Sequence, residues 1–309
     1  MAETAVKKRR KAGLERSGKK KLFYCLLLAW PVAQFLIFYV YVNVNSIMLA
    51  FRHYDYGTGK FAGFDLESFK QAFRFFGEPT FKYAIRNSFL AYAVGLFIST
   101  PLTFIFAYYM YKKMLFHRTF KVLLFMPSIV PAIVMVLIFK YFAEDAYPEI
   151  ALKVFKAAEP QGLLANYKTR FATIIFYNVW SGFGIGVIMY VSAMFTINDS
   201  VVEAARIDGA GVVREFFHVT FPAIYPTFVT FTVLGVAGLF TGQLGLFSFY
   251  GESAEVRNYT VGYYLFREVR RASLGRYPYL ASLGIIFTVI LAPATFLVRY
   301  LLEKFGFKE

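Results

Sequence analysis

The chain has 309 residues, of which 58% are hydrophobic, 20% aromatic and only 17% charged, and its formal net charge is +15. A water-soluble domain carries about 25% charged residues, so this composition excludes an ordinary soluble protein and indicates a chain that crosses a membrane several times. The single cysteine, Cys25, excludes a disulfide framework and a cysteine-based metal site.

Positive charge is concentrated at the N-terminus. Residues 1–21 hold nine Lys and Arg against two Glu, so their net charge is +7. A basic arm can bind nucleic acid, but beside an apolar span it is more typical of a cytoplasmic anchor. We therefore predict a cytoplasmic tail and no nucleic-acid partner. The arm also contains G-x4-G-K, but Lys20 stands where a phosphate-binding loop needs Ser or Thr, so no nucleotide site is predicted in this chain.

Six apolar stretches follow, each near or above the roughly 20 residues that cross a bilayer. They predict an all-α membrane protein with one domain over residues 22–302 and a cytoplasmic tail over 303–309. The predicted spans are 22–44, 87–111, 122–142, 171–197, 223–250 and 279–298. Because six is an even number, both termini should lie on the same side of the membrane.

The side of the termini is predicted from the distribution of basic residues. The N-terminal arm and the basic turn at Lys112–Lys121 both place that side in the cytoplasm. The arginines between the last two spans oppose this rule, and we expect four of them to lie in an amphipathic helix outside the membrane. They are Arg267, Arg270, Arg271 and Arg276.

A polar segment, residues 198–222, lies between the fourth and fifth spans and therefore on the cytoplasmic side. It predicts a short helix with a small-residue face, a turn at Gly209, and a second short helix that Asp208 caps and that Pro222 and Pro226 stop. Small side chains permit close backbone approach, which suits docking into a groove of another protein. The alternative interpretation is an amphipathic linker helix that lies on the membrane surface.

The 198–222 segment resembles the EAA loop of the membrane subunits of binding-protein-dependent ABC importers, whose pattern is E-A-A-x-x-D-G-A, an aromatic residue, then I/V-T-x-P. The matching residues are Glu203, Ala204, Ala205, Asp208, Gly209, Ala210, Phe216, Val219, Thr220 and Pro222. The resemblance implies a type I ABC importer transmembrane domain with six helices. It also implies that the residues from Glu203 to Ala210 couple the chain to an ATPase. In that role Glu203 would pair with a basic residue of the ATPase, and Ala204 and Ala205 would form the contact surface.

The partners implied by the resemblance are a second, similar but distinct permease, two ABC ATPase subunits and an extracytoplasmic solute-binding protein. ATP and Mg²⁺ would be bound by the ATPase subunits, so this chain should need no cofactor and should not be an enzyme. Its three histidines lie in separate loops and form no metal site. The location implied is the bacterial inner membrane.

Four polar or aromatic residues lie in otherwise uncharged spans, where burying a polar group costs free energy unless it has a binding partner. They are Asn178, Trp180, Thr241 and Gln243. Amide, hydroxyl and aromatic groups suit a sugar, and 177–180 resembles a polar-aromatic stretch of maltose-type permeases, so we predict a substrate path. The alternative is helix packing, in which the Asn and Gln side chains bond across helices and the Gly182/Gly186 and Gly238/Gly242 spacings permit close contact.

The cargo expected from the resemblance is a sugar or oligosaccharide. The stretch 247–264 resembles the branch of carbohydrate permeases for complex or acidic oligosaccharides, although the lack of charge within the spans favours a neutral, hydroxyl-rich cargo. Three alternatives stay open. They are an ABC importer for a non-sugar solute such as glycerol phosphate, a non-conducting scaffold that recruits an ATPase, and an ion-coupled carrier, which the lack of paired carboxylates within the spans disfavours.

Overall fold

The structure is a computed structural model that describes residues 20–21, 23–156 and 160–307. Most of the predicted N-terminal tail, including the G-x4-G-K match, lies outside the described residues. The chain divides into two compact units. One reaches to Ala72 and includes Ser273–Ile285, and the other comprises Phe73–Ala272 and the chain from Ile286 onward.

The first unit contains an apolar helix, α1 (Phe23–Ala50), and a β-hairpin of β1 (His53–Asp55) and β2 (Lys60–Ala62). The hairpin was not anticipated. Its strands pair antiparallel, and the Asp55 carboxylate accepts hydrogen bonds from the Gly57 N–H and the Thr58 hydroxyl at 2.8 Å each. These bonds close the turn and lower the pKa of Asp55, that from Thr58 most strongly. A further helix, α2 (Glu67–Phe75), runs from this unit into the second.

The remaining helices follow in chain order, and the last of them is shared between the two units. They are α3 (Pro79–Tyr111), α4 (His117–Ile129), α5 (Ala132–Lys153), α6 (Arg170–Met194), α7 (Asp199–Ile207), α8 (Val212–Ala237), α9 (Leu246–Tyr250), α10 (Val261–Arg271) and α11 (Tyr277–Phe305). Five helical stretches of the described chain are long and apolar enough to cross a membrane, or six if one bent pair counts as a span. This confirms the predicted all-α membrane fold.

The bent pair is α4 and α5, which meet at 103°. The sequence predicts one span over 122–142 that Pro127 and Pro131 interrupt, and the structure breaks the helix at the second of these prolines. The break falls at Val130 and Pro131, and Val130 is extended, with ψ 137°. A proline disfavours the helical conformation of the residue before it, so Pro131 ends α4, whereas Pro127 is accommodated inside it.

The fifth span also differs from the prediction. Its helix, α8, begins at Val212 and ends at Ala237, and residues 238–245 are not helical before α9 begins. The prediction that Pro222 and Pro226 stop a short helix is wrong, because both lie inside α8. A π-helical turn at Phe216–Thr220 precedes Pro222, and such local widening is one way in which membrane helices tolerate proline.

The core of the second unit lies where α3, α6 and α8 pack together. Its buried centre includes Ala107, Val187, Met194 and Ile224, each fully buried. Aromatic rings surround that centre, and Phe104 makes an edge contact with Tyr190 at a centroid distance of 4.7 Å. Glycine permits the contact between α6 and α4 as well. A Cβ on Gly184 would overlap the Leu124 carbonyl, whose carbon would be 2.9 Å away.

The predicted amphipathic helix is α10, which ends in Arg270 and Arg271. Arg271 donates a hydrogen bond to Glu252 at 2.7 Å, and Arg270 pairs with the same carboxylate at 3.4 Å. The bond from Arg271 holds the pKa of the Glu252 carboxyl below its usual value and raises the pKa of Arg271.

Candidate functional site

The E-A-A part of the 198–222 segment is α7, and both of its ends are capped. Asn198 is the N-cap, and its side chain accepts a hydrogen bond from the Ser200 N–H at 3.1 Å. At the other end, the N–H of Ala210 donates to the Ala205 carbonyl at 2.9 Å, and the N–H of Gly209 donates to the Arg206 carbonyl at 3.0 Å. These two bonds form a Schellman motif.

The turn predicted at Gly209 is present, since Gly209 has φ +77°, which side-chain-bearing residues rarely adopt. The predicted role of Asp208 as cap of the second helix is wrong. Asp208 is the C-cap of α7, and Gly211 is the N-cap of α8. The Schellman motif uses Gly209 and Ala210 after the C-cap, so the N-cap position falls at Gly211, three residues after Asp208.

α7 presents its motif residues to the outside. Val202 is buried and anchors the helix, whereas Glu203 and Ala204 are exposed and Ala205 is half-buried. Ile207, at the end of the same helix, is 87% exposed. A small-residue surface with one carboxylate and a protruding aliphatic side chain is therefore available for contact with another molecule.

A buried ion pair holds the segment to the end of α3. Glu215, only 3% exposed, pairs with Lys112, and Arg206 lies 3.7 Å from the second carboxylate oxygen. The Tyr108 hydroxyl also donates to the Val212 carbonyl at 3.3 Å. Charged groups are almost never buried unless paired, so this pair determines where the segment sits.

Sequence reasoning missed Glu215. Glu215 is not a position of the E-A-A pattern, and the sequence assigns Lys112 only to a basic turn between two spans. The available signal was a single carboxylate directly before Phe216 and Phe217. A carboxylate next to large apolar residues is often buried with them, and a buried charge costs free energy unless a cation pairs with it.

The turn provides a prediction with a matched control. We expect Gly209→Ala to destabilise the segment by about 1–2 kcal/mol, because alanine must then adopt a left-handed conformation. Gly211→Ala should leave α7 almost unchanged, because Gly211 lies at the start of α8, has φ −71° and has nothing within 4 Å of its Cβ position. Hydrogen exchange of the α7 amides measures the difference, and equal protection in both variants would contradict the assigned turn.

The second group of predicted site residues lies around the break after α8. The Asn178 side-chain amide donates to the Ile174 carbonyl of its own helix at 2.8 Å and to the Leu244 carbonyl at 2.9 Å. Leu244 has a positive φ of 51°, so the bond holds a strained turn against α6. Asn178 therefore makes the inter-segment contact that the packing alternative expected.

Two further contacts hold the non-helical residues 238–245. The Thr260 hydroxyl donates to the Gly242 carbonyl at 2.8 Å. A Cβ on Gly262 would lie 2.5 Å from the Thr241 carbonyl carbon, so the backbone of α10 touches that of the break. Non-helical backbone at membrane depth is tolerated where it is buried in protein or lines a cavity, and this stretch is supported from both α6 and α10.

Two of the other predicted path residues, Thr241 and Gln243, lie within the same break, and Trp180 lies on α6. Thr241 and Gly242 are exposed, and Gln243 is half-buried. Trp180 is 40% exposed, and its ring lies 6.2 Å from Phe139 and 6.3 Å from Tyr177. The structure thus brings Asn178 and the break into contact. It keeps both apart from α7, because the helix rises about 24 Å from Asn178 to Met194.

A polar anchor not anticipated from the sequence holds the start of α10. The buried Asn87 side chain donates to the carbonyls of Arg257 and Tyr259 at 2.7 and 2.9 Å, and the Ser88 hydroxyl accepts from the Val261 N–H at 3.0 Å.

Within the described part of the chain, no group of His, Cys, Asp and Glu has the arrangement of a metal site.

The fold and the site together define a multi-span membrane permease. The chain belongs to the family described as "Binding-protein-dependent transport system inner membrane component", whose profile matches residues 99–306. It therefore lies in the inner membrane as a multi-pass transport component.

Individual relatives agree with this assignment. The chain is 27% identical to the polygalacturonan/rhamnogalacturonan transport system permease protein YteP of Bacillus subtilis, over 97% of this chain and 93% of that protein. It is 25% identical to the arabinooligosaccharides transport system permease protein AraP of the same species, over 73% of each. A chain of a bacterial ABC transporter involved in the import of the acidic polysaccharide alginate matches with a TM-score of 0.78 at 17% identity, covering 94% of this chain and 99% of that one. The fold is that of an ABC importer transmembrane domain.

Proposed function

We propose that this chain is one membrane-spanning subunit of an ATP-driven importer that moves a sugar or oligosaccharide delivered by an extracytoplasmic binding protein. A second, similar permease would complete the path. Two separate ATPase subunits would bind ATP and Mg²⁺, so this chain would not hydrolyse ATP itself. Both termini and the 198–222 segment would lie in the cytoplasm, as the distribution of basic residues favours.

The observation that carries this proposal is the exposed E-A-A face of α7 on a segment that Glu215 and Lys112 join to α3. A partner that moves α7 would move the ends of two long helices with it. An external ATPase can in this way shift the spans between two arrangements. The ligands at each end of the path would then bias that equilibrium.

The carbohydrate cargo is supported by two observations. The similar proteins YteP and AraP are named for polygalacturonan/rhamnogalacturonan and arabinooligosaccharide transport. The break at 238–245 also offers exposed backbone, the Thr241 hydroxyl and the Gln243 amide, which are groups that bind hydroxyl-rich ligands.

The proposal is tested by ATP-dependent uptake in vesicles that contain the assembled complex. We expect Glu203→Ala to abolish uptake and to weaken retention of the ATPase, because the exposed carboxylate loses its partner. Glu303→Ala serves as control, since it removes an exposed carboxylate that pairs only with Arg299 in the structure. ATP-independent uptake that is unchanged by Glu203→Ala would contradict the proposal and favour a carrier.

A second experiment separates conduction from mere recruitment of an ATPase. We expect Gln243→Ala to lower uptake several-fold while the ATPase subunits stay bound, because an amide in the path contributes about 1 kcal/mol or more to cargo binding. Uptake that is unchanged in Gln243→Ala and Thr241→Ala would support a non-conducting scaffold instead. ATPase co-purification is measured in parallel.

A further inference from the structure

A polar cleft of about 330 Å³ lies wholly within the first compact unit. One of its walls is formed by the β-hairpin and the start of α2, and the other by the residues that lead into α11. Every residue that lines this hairpin cleft, except Gly275 and Pro278, has a side chain that can form hydrogen bonds. The volume is in the range of about 300–1,000 Å³ that small-molecule sites have. The lining favours a ligand that carries many polar groups of its own.

Two contacts hold the walls of the hairpin cleft together. The Ser282 hydroxyl donates to the Ser68 carbonyl at 3.0 Å, which joins α11 to α2. The Tyr56 hydroxyl lies against Gly275, in the place that a Cβ on that glycine would occupy. The cleft is therefore already formed without a ligand, so binding does not have to order its walls.

Tyrosine rings provide the flat surfaces of the cleft. Tyr56 is 77% exposed and makes an edge contact with Tyr54 at a centroid distance of 5.1 Å. Tyr279 is buried, and the Arg276 guanidinium lies over its ring at 4.4 Å from the centroid. Aromatic faces beside hydrogen-bonding groups are complementary to a sugar ring, which presents C–H faces as well as hydroxyls.

Charges of both signs lie close together in the cleft. Asp65 and Glu67 contribute two carboxylates, and Arg276 contributes a cation. Lys70 lies 3.5 Å from the Glu67 carboxylate, and one oxygen of Asp65 accepts a hydrogen bond from the Glu67 N–H at 2.9 Å. His53 lines the same cleft. This mixture selects neither an anion nor a cation, and it suits an uncharged ligand whose hydroxyls both donate and accept hydrogen bonds.

Both walls lie on one side of the membrane. The residues of one wall follow the first apolar helix, α1, and those of the other wall lie at the start of the last, α11. Because the two walls pack together, both are on the side opposite to the termini. In the proposed orientation this side is extracytoplasmic, where the cargo arrives.

We propose that the hairpin cleft is a carbohydrate subsite, which binds a neutral sugar unit of the cargo before the cargo enters the spans. A protein segment is a poorer match, because docking surfaces have an apolar centre and this lining is polar. Neither Asn178 nor Gln243 lines the cleft, so it is a separate site from the predicted path. The inference rests on the proposed function for its orientation and for its class of cargo.

The test is fluorine NMR of the purified complex labelled with 3-fluorotyrosine. The complex is titrated separately with two neutral trisaccharides, arabinotriose and maltotriose, and with the acidic trigalacturonate. The resonances of Tyr54 and Tyr56, assigned with Tyr54→Phe and Tyr56→Phe, should shift with a neutral trisaccharide. The resonance of Tyr167, an exposed tyrosine outside the cleft, should not shift. Trigalacturonate should bind roughly fivefold more weakly, because Asp65 and Glu67 repel its carboxylates.

A substitution on α2 tests the hydrogen-bonding role of the lining. We expect Gln71→Ala to weaken binding of the neutral trisaccharide about fivefold, the usual effect of one lost hydrogen bond. Alanine is the best helix former, so α2 should stay intact. The matched control is Gln161→Ala, which removes an exposed glutamine outside the cleft and should bind like wild type.

Each contrary result overturns the proposal. If neither neutral trisaccharide shifted Tyr54 and Tyr56, the cleft would not be a carbohydrate subsite. Equal affinity for trigalacturonate would contradict the selection of a neutral unit, and unchanged affinity in Gln71→Ala would place the sugar elsewhere. Loss of the binding protein from Gln71→Ala with sugar affinity unchanged would identify a protein-docking surface. Failure of the proposed function is distinguishable, because it appears as uptake by wild type that does not depend on ATP.

Discussion

Glu215→Ala is expected to destabilise the protein by about 3–5 kcal/mol, because it leaves the Lys112 ammonium buried without its partner. The side chain of Lys112 is only 14% exposed, so water cannot replace the lost carboxylate in that position. With the pair removed, the 198–222 segment loses its main attachment to α3. Thermal unfolding in detergent measures the loss of stability.

Limited trypsin digestion measures the detachment directly, because the exposed Arg206 and Arg214 flank the turn between α7 and α8. We expect faster cleavage there in Glu215→Ala than in wild type. Glu203→Ala is the control, since it removes an exposed carboxylate from the same segment and should change neither stability nor cleavage.

A double replacement distinguishes the buried charge from the shape of the side chains. Lys112→Met with Glu215→Leu removes both charges and keeps apolar volume, and replacing a buried pair in this way is often neutral. We expect most of the lost stability to return. A double variant as unstable as Glu215→Ala would show that packing, and not the unpaired charge, causes the defect.

Gly184→Ala is expected to destabilise the protein by about 3 kcal/mol, the upper part of the range for overpacked interiors. The added methyl group would meet the Leu124 backbone carbonyl of α4, and a backbone cannot rotate away as a side chain can. α4 and α6 would have to separate. The expected result is a lower unfolding temperature and greater hydrogen exchange in α4.

The control lies two residues away in the same helix. Nothing lies within 4 Å of a Cβ built on Gly182, and alanine is favoured over glycine inside a helix by about 1 kcal/mol. Gly182→Ala should therefore be neutral or slightly stabilising. If both variants were equally destabilised, the packing of α4 against α6 would not be as described.

The comparison of these glycines shows what sequence patterns can establish. The spacing of Gly182 and Gly186 suggested a helix-packing motif. Of these two only Gly186 is closely packed, since its Cβ would lie 3.2 Å from the Thr103 side chain, and the tightest contact is made by Gly184 between them. Periodicity identifies that a helix has a small-residue face, but three glycines at alternate positions lie on different faces. Only the position of α4 decides which of them is covered.

The apolar spans themselves were predictable because a bilayer demands long uncharged helices. The predicted bounds of the spans failed where backbone geometry, and not composition, decides whether a helix continues. The residues after Ala237 carry no charge, so the sequence predicted that the span continues through them, but the helix ends at Ala237, and Leu244 and Gly245 have positive φ angles. The sequence also identified the E-A-A surface, whereas the buried partner of Glu215 lies more than a hundred residues earlier in the chain.

The two ends of the 198–222 segment are connected to the membrane in different ways. On one side, four residues without regular helical structure separate Met194 from Asp199. On the other, the chain passes through the π-helical turn into the span as one rod, Val212–Ala237, about 39 Å long. α7 is joined to that rod by the hydrogen-bonded turn at 208–211 and by Arg206, which lies 3.7 Å from Glu215 of the rod, so a push on α7 would be passed to it. The fourth and fifth spans should respond unequally, and the fifth should move more.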